Sequence, residues 1–379
     1  MIAARIRRKA AALAHGWKRR ARFARPFRGD SRHRLLLLSL GARIPQSQIF
    51  PFHFYAADLA RLYGAELREA DIDAFMAGRG RAPGGATVVC FQSEFDISDA
   101  ALEALVARIR ARNPAARLVY LDWFAPTDLR LAHRVGPMVD VYLTKHLLRD
   151  RARYGRPVAG DTTLMDHYGR VFGLDHAVTH FPIPEGFWGK LLLGPTFLTA
   201  DFMLPVFARG RRPDRPRPID LHARIAVGGT PWYAAMRGQC LEKVAALRGA
   251  RVVTGTGVGH HRFLTELAQS KVCFSPFGYG EVCWRDFEAV MSGAVLLKQD
   301  MSHVETAPDI FEDGETYVGL RWDLADFDDK LHWLLRDDAA RGRIAGAAFE
   351  RLHDYAASDA FAWQMAPLFE ARHGAKAGP

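Results

Sequence analysis

Residues 274–300 read FSPFGYGEVCWRDFEAVMSGAVLLKQD, and the order of residue types in this stretch decides the fold. An apolar run over 272–276 ends in a turn carrying Gly278 and Gly280. Residues 284–291 then have helical spacing, and 294–298 is a second apolar run of strand length. Strand, glycine turn, helix, strand is the repeating unit of a parallel sheet. A glycine turn that opens a helix leaves backbone N–H groups without intrahelical partners, and such groups suit a phosphate. Arg285 adds a cation at the helix start. Glu288, three residues on, shares its face and can accept hydrogen bonds from sugar hydroxyls. Together these residues outline a pocket for a nucleotide diphosphate.

Outward from that stretch the same alternation recurs in two sets. In the first, residues 35–40, 87–92, 118–122 and 139–144 read as strands. Helices are expected over 54–63 and 99–112, the latter capped by Ser98 or Asp99. After an Arg/Pro-rich stretch at 209–218, strands over 219–223, 251–254, 272–276 and 294–298 alternate with helices over 233–247, 261–269 and 284–291. Helices over 337–355 and 360–372 close the chain. Short apolar runs separated by amphipathic helices predict parallel sheets covered on both faces. The expected class is α/β: two Rossmann-like doubly wound domains facing a cleft, with a basic N-terminal helical tail. In such sheets ligands bind beyond the carboxyl ends of the strands. The expected boundaries are 1–34 for the tail, 35–185 for the first domain, 186–217 for a linker, 218–350 for the second domain and 351–379 for a terminal helical segment.

The net charge of +10 is unevenly placed. Residues 1–34 hold ten Arg, two Lys and one acid, Asp30, for +11, and the other 345 residues sum to −1. A nucleic-acid binder needs positive charge across its folded face, so nucleic acid is not the expected partner. The tail places Ile2, Ile6, Ala10, Leu13 and Trp17 at helical spacing among arginines and ends at Pro26. That pattern suits an anionic membrane surface, although a solvated tail or an organelle transit peptide would look similar. No apolar segment with a cleavage site follows it, which argues against secretion. Residues 188–207 are apolar but contain Lys190, Gly194, Pro195, Asp201 and Pro205, and read as a linker or interfacial segment rather than a span. Cys90, Cys240, Cys273 and Cys283 are scattered, as buried thiols of a reducing compartment would be. The expected location is cytoplasmic, with peripheral attachment to an inner membrane face through residues 1–34.

The pattern Arg285-Asp286-Phe287-Glu288-Ala289, then Ser292-Gly293, then an apolar strand over 294–298 and Asp300, resembles the donor-binding half of GT-B glycosyltransferases. Bacterial family-1-type and exostosin-like members are the nearest in pattern. The resemblance is firm over about 216–325, architectural over 35–185, and does not reach the tail. It implies an acceptor-binding first domain and a nucleotide-sugar donor in the second. Many retaining members carry Glu-x7-Glu here. Counting back from Glu288, the first position is Gly280, and the nearest acid is Glu281, one residue late. Retention or inversion is therefore left open.

Glycosyl transfer must stabilise a leaving diphosphate, and metal-independent enzymes do so with helix N-termini and cations. The turn Gly278-Tyr279-Gly280-Glu281 and Arg285 are placed for it, with Glu288 on the ribose or sugar hydroxyls. The alternative for Arg285 and Glu288 is an ordinary i,i+3 surface pair. A second cradle is expected at Val227-Gly228-Gly229-Thr230, where Thr230 can cap the following helix and Arg224 and Arg237 flank the loop. Lys298 is a further phosphate contact and Asp300 a turn former. The base for an acceptor hydroxyl should come from the first domain, where Glu94 and Asp122 end strands; Asp96 and Asp128 are less well placed, and His53, in the loop after the first strand, is a further candidate. Neighbouring aromatics (Phe50, Phe52, Phe54, Tyr55, Trp123, Phe124) can stack on a sugar or belong to the core. Asp71-Ile72-Asp73 resembles a metal–nucleotide motif, but residues 67–70 make a poor strand before it. His260-His261 has no Cys or His partner at metal spacing. No metal or prosthetic group is expected, the nucleotide-sugar being a co-substrate.

Three functions fit these residues. The first is a glycosyltransferase acting on a glycan or lipid-linked acceptor in envelope polysaccharide synthesis. The second is a non-catalytic nucleotide- or glycan-binding protein on the same fold, which the displaced Glu281 keeps open. The third is a phosphosugar or polymer-phosphate transferase.

Overall fold

The computed structural model describes residues 25–79 and 83–370. Its first sheet has six parallel strands: β1 His33–Ser39, β2 Ala65–Asp71, β3 Val88–Phe91, β4 Arg117–Asp122, β5 Val141–Thr144 and β6 Leu191–Leu193, in the order β2-β1-β3-β4-β5-β6. The second has five: β7 Ile219–His222, β8 Val252–Val253, β9 Ser270–Phe274, β10 Val295–Gln299 and β11 Val318–Leu320, in the order β8-β7-β9-β10-β11. Each sheet is doubly wound, and its chain order reverses once, between β1 and β3 in the first lobe and between β7 and β9 in the second. Leucines 35–38 are completely buried, as a strand covered on both faces demands.

The expected alternation holds, and three elements differ from it. Residues 67–70 lie inside β2, an edge strand. Its charged residues do not disqualify it: Arg68 bonds Glu66 and the backbone of Arg25 and Pro26, while Glu69 is buried against Ser39 and His53. Asp71 ends β2 and caps the short helix Ile72–Met76 by accepting from the Ala74 amide at 2.8 Å. A helix Arg43–Phe54 precedes Ala56–Tyr63, although Pro45 and Pro51 had masked its period. Leu191–Leu193, expected in a linker, pairs with β5 as the edge of the first sheet. The helix Asp338–Ala357 runs through position 350, so the terminal segment stays continuous with the second lobe up to Ser358. The tail's first 24 residues lie outside the described residues.

The helix Trp284–Met291 ends where the sequence breaks it. Gly293 adopts φ +74°, a left-handed conformation that turns the chain into β10 at once. The lobes are joined by more than the linker. His146–Leu148 of the first pairs antiparallel with Val304–Thr306 of the second, forming a ribbon across the seam. After Ser358 the chain returns to the first lobe, where Phe361 packs edge-on against Phe52 and stacks on Tyr55.

Candidate active site

The carboxyl ends of β7 and β9 flank the second lobe's reversal point, where an open α/β sheet forms a ligand crevice. Two loops rise there, residues 223–230 and 275–283. Arg237, on the helix Pro231–Ala246, ties them together. It donates to Phe277 O through Nε (3.1 Å) and Nη2 (2.9 Å), and reaches Ala226 O at 3.4 Å. Its guanidinium lies over the Tyr233 ring, is only 6% exposed, and forms no ion pair among the described residues. Burial lowers its pKa. A buried cation with only carbonyls around it suits an anionic ligand.

The glycine loop lies against this brace. Gly229 has φ +130°, and a Cβ there would stand 2.6 Å from Tyr279 Oη, so only glycine fits. Tyr279 stacks on Tyr233 at 4.6 Å and its Oη accepts from the Thr230 amide at 3.2 Å. Thr230 occupies the N-cap position, but its hydroxyl makes no capping bond. Gly228 has open space around it. Arg224 is committed elsewhere: it grips Glu266 through two bonds (2.6 and 3.0 Å), donates to Thr254 O, and holds the Glu266 carboxyl down to about 2.

The start of the helix Trp284–Met291 is filled from within. Asp286 accepts from the Cys283 amide at 2.8 Å in a capping box, and Ser275 Oγ donates to it at 2.6 Å. Lys298 lies fully buried 3.3 Å from the same carboxylate. Asp286 thus takes the place of an anion at this helix end, and Lys298 neutralises it rather than opening on the crevice. Gly278 N–H is likewise spent, on Gly280 O. Arg285 remains available. Its Nε has no hydrogen-bond partner and its head lies 5.8 Å over Phe263. Glu288 does not pair with it but accepts from His260 Nε2 at 2.8 Å.

Glu281 points across the seam. It is 1% exposed and accepts from Thr127 Oγ1 and Thr163 Oγ1 of the first lobe, both at 2.7 Å, with His303 Nε2 at 3.8 Å. Burial opposes its charge, but His303 and the two hydroxyls outweigh burial and hold its pKa down to about 2. Gly280 beside it meets the first lobe so closely that a Cβ would fall 1.8 Å from Ala125 O.

On the first lobe, Asp122 ends β4, accepts from Tyr142 Oη (2.7 Å) and the Phe124 amide (3.0 Å), and is pushed up to about 6 by burial. Glu94 is exposed just beyond β3. Asp128 is held by Arg130, and His53 by Glu69 at 2.7 Å. Arg43, following β1, lies over Phe202 and Trp284 at 4.8 and 5.1 Å and carries the first lobe onto the site helix.

Four features escaped the sequence reading. Lys145, fully buried, donates to Trp123 O, lies 3.8 Å over Phe197, and is pushed down to about 7 by burial. His222 ends β7 with no hydrogen bond to either ring nitrogen among the described residues, its Nε2 3.7 Å from Glu266, and is pushed down to about 4 by burial and Arg285. The third is the His260–Glu288 pair. Only the fourth had a local signal: the loop Gly255-Thr256-Gly257-Val258-Gly259, directly after β8 and before the helix His260–Ala268.

Two doubly wound lobes joined across a seam are the architecture of the GT-B class. The glycosyl transferase-like family model matches residues 212–365, which span the second lobe. Comparison with curated proteins finds no match. Among solved structures, the chain is similar to an alpha-glucosyltransferase in complex with UDP, at 10% identity and TM-score 0.50, over 89% of this chain and 100% of that one. An alpha-glucosyltransferase with UDP and a 13-mer DNA containing a HMU base matches at 10% identity and TM-score 0.51, over 89% and 99%. The chain has the GT-B fold, and its second lobe is similar to the glycosyl transferase-like family.

Proposed function

We propose that the second lobe holds a nucleotide-sugar and that its sugar passes to a glycan or lipid-linked acceptor bound by the first lobe, in envelope polysaccharide synthesis. The observation that carries this is Arg237: a buried guanidinium bracing both loops at the reversal point, with no counter-ion among the described residues, and Arg285 likewise without an ion pair among them. A diphosphate between the loops would supply the missing negative charge. Charge that builds on the leaving diphosphate is then stabilised by groups already in place. The proposal uses no metal or prosthetic group, because the two arginines do this work. Glu288, oriented by His260, takes a hydroxyl of the ribose or sugar. Asp122 and Glu94 are the candidate bases for the acceptor hydroxyl.

Attachment to an anionic inner membrane face through residues 1–34 is part of the proposal and rests on their charge of +11. No helix among the described residues is long and apolar enough to cross a membrane. The similar structure solved with DNA makes DNA the control acceptor.

The test is a thermal-shift screen of the full chain against UDP, GDP, CMP and dTDP and their sugars, since a ligand of the native state raises its melting point. One nucleotide family should raise it. Arg237→Gln and Arg285→Gln should each weaken that nucleotide by about tenfold or more, the scale of a lost charge-assisted bond. A screen without any shift overturns the proposal.

A further inference from the structure

A concavity of about 610 Å³ lies on the first lobe. Its wall runs from Arg151, Tyr154 and Gly155 across to His180, the turn at 182–186 and Trp188. Trp188 stands at the lip, 43% exposed, with its ring 5.8 Å from Tyr154 and with Phe187, 1% exposed, anchoring the chain beneath it. The wall is preformed. Gly155 and Gly186 hold left-handed turns at φ +69° and +72°, and Pro182 and Pro184 restrict the irregular segment between His180 and Trp188. A rigid wall loses little entropy on binding.

The polar groups of this concavity are few and of both kinds. His180 Nε2 bonds Gly155 O at 2.9 Å, which fixes the ring and leaves Nδ1 over. Arg151 spends part of its fork on Leu148 O and Glu305. Glu185 has no hydrogen bond or ion pair among the described residues. An exposed indole beside donors and acceptors matches a sugar ring, which offers one C–H face and a rim of hydroxyls. The single cation is already paired and one carboxylate is free, so a polyanionic chain is disfavoured.

We propose that this concavity is a glycan subsite of the acceptor, stacking a neutral or amino sugar on Trp188 and bonding its hydroxyls through Arg151, His180 and Glu185. The inference rests on the reading of the acceptor as a glycan. The subsite shares its wall with the ribbon at the seam: the Leu148 amide donates to Tyr154 Oη at 2.8 Å, and Arg151 reaches Glu305 on the opposite strand at 2.5 Å. A glycan of several units could thus place its reacting end in the crevice while an inner unit rests here, and the second contact would raise the effective concentration of the first.

The test uses the full chain without donor and hexasaccharides of β-linked N-acetylglucosamine, α-linked glucose and β-linked glucose, read by calorimetry. At least one should bind. Trp188→Ala should weaken it by about tenfold, Trp188→Phe should restore most of the loss, and Glu185→Gln should weaken it less. In transfer assays, KM for a long acceptor should rise in Trp188→Ala while kcat and the donor KM stay unchanged. The inference is overturned if none of the hexasaccharides binds, if Trp188→Ala binds as well as the parent, or if only a proline-rich decapeptide occupies the site. Nucleotide shifts are read separately, so the donor reading can stand when this one falls.

Discussion

Glu281 is the acid nearest the position where a retaining relative would carry one, and the fold uses it as a strut between lobes. Its carboxylate takes two threonine hydroxyls from the far side of the seam, which leaves it badly placed to meet a sugar while the lobes are closed. The strut has a pH signature. Its folded pKa, about 2, lies below the ordinary 4.5, so the stabilisation is complete above pH 4.5 and is lost as pH falls toward 2. The full effect is on the order of 3 kcal/mol. Urea unfolding should find Glu281→Gln less stable than the parent at pH 7 by about that amount and nearly equal to it at pH 2. A constant gap at both pH values would show that the charge does no work. Asp122 shifts the other way, up to about 6, because burial disfavours its ionised form. If Asp122 is the base, kcat/KM rises with pH through about 6 as it ionises, and Asp122→Asn loses both the limb and most of the rate. Should Asp122→Asn keep most of the rate and Glu94→Gln lose it, the base is Glu94.

At the scale of elements, what the sequence made legible was local. The helix over 284–291 and its flanking strands stood out because continuous apolar runs give way to helical spacing and back again beside glycines. Gly293 indeed turns the chain with a positive φ. Elements without a clean period were hidden: Arg68 and Glu69 of β2 find partners at Arg25, Pro26, Ser39 and His53, far along the chain, and the three-residue β6 reads as part of a linker. Site roles were legible as residue types but not as partnerships. Arg224 and Lys298 look like phosphate contacts until Glu266 and Asp286, brought in by the fold, claim them. Gly280 belongs to this scale, since its value lies in the approach of one loop to another. Gly280→Ala would place a methyl 1.8 Å from Ala125 O, so the lobes must separate to admit it. Such a variant should lose about 1–3 kcal/mol of stability and show a larger radius of gyration by small-angle scattering. An unchanged radius with full transfer activity would mean that the seam opens in the working enzyme.

Three of the contacts that hold the whole molecule closed are the ribbon at residues 146–148 and 304–306, the Glu281 strut, and the chain's return to the first lobe after Ser358. The return is the most apolar of the three. Phe361, Met365 and Leu368 are fully buried. Tyr63 Oη donates to Ala362 O at 3.0 Å, and Gln364 to Leu193 O at 2.7 Å on the edge of the first sheet. Each large apolar side chain removed from water contributes about 2 kcal/mol, so this segment couples the lobes more strongly than the surface pair Arg61–Asp359 beside it. Strong coupling makes two lobes melt as one. Calorimetry of the full chain should therefore give a single transition. A chain ending at Ser358 should give two, the earlier from the first lobe, whose Phe52 and Tyr55 lose their cover. A truncated chain that melts once, at the parent temperature, would place the coupling in the ribbon and the strut instead.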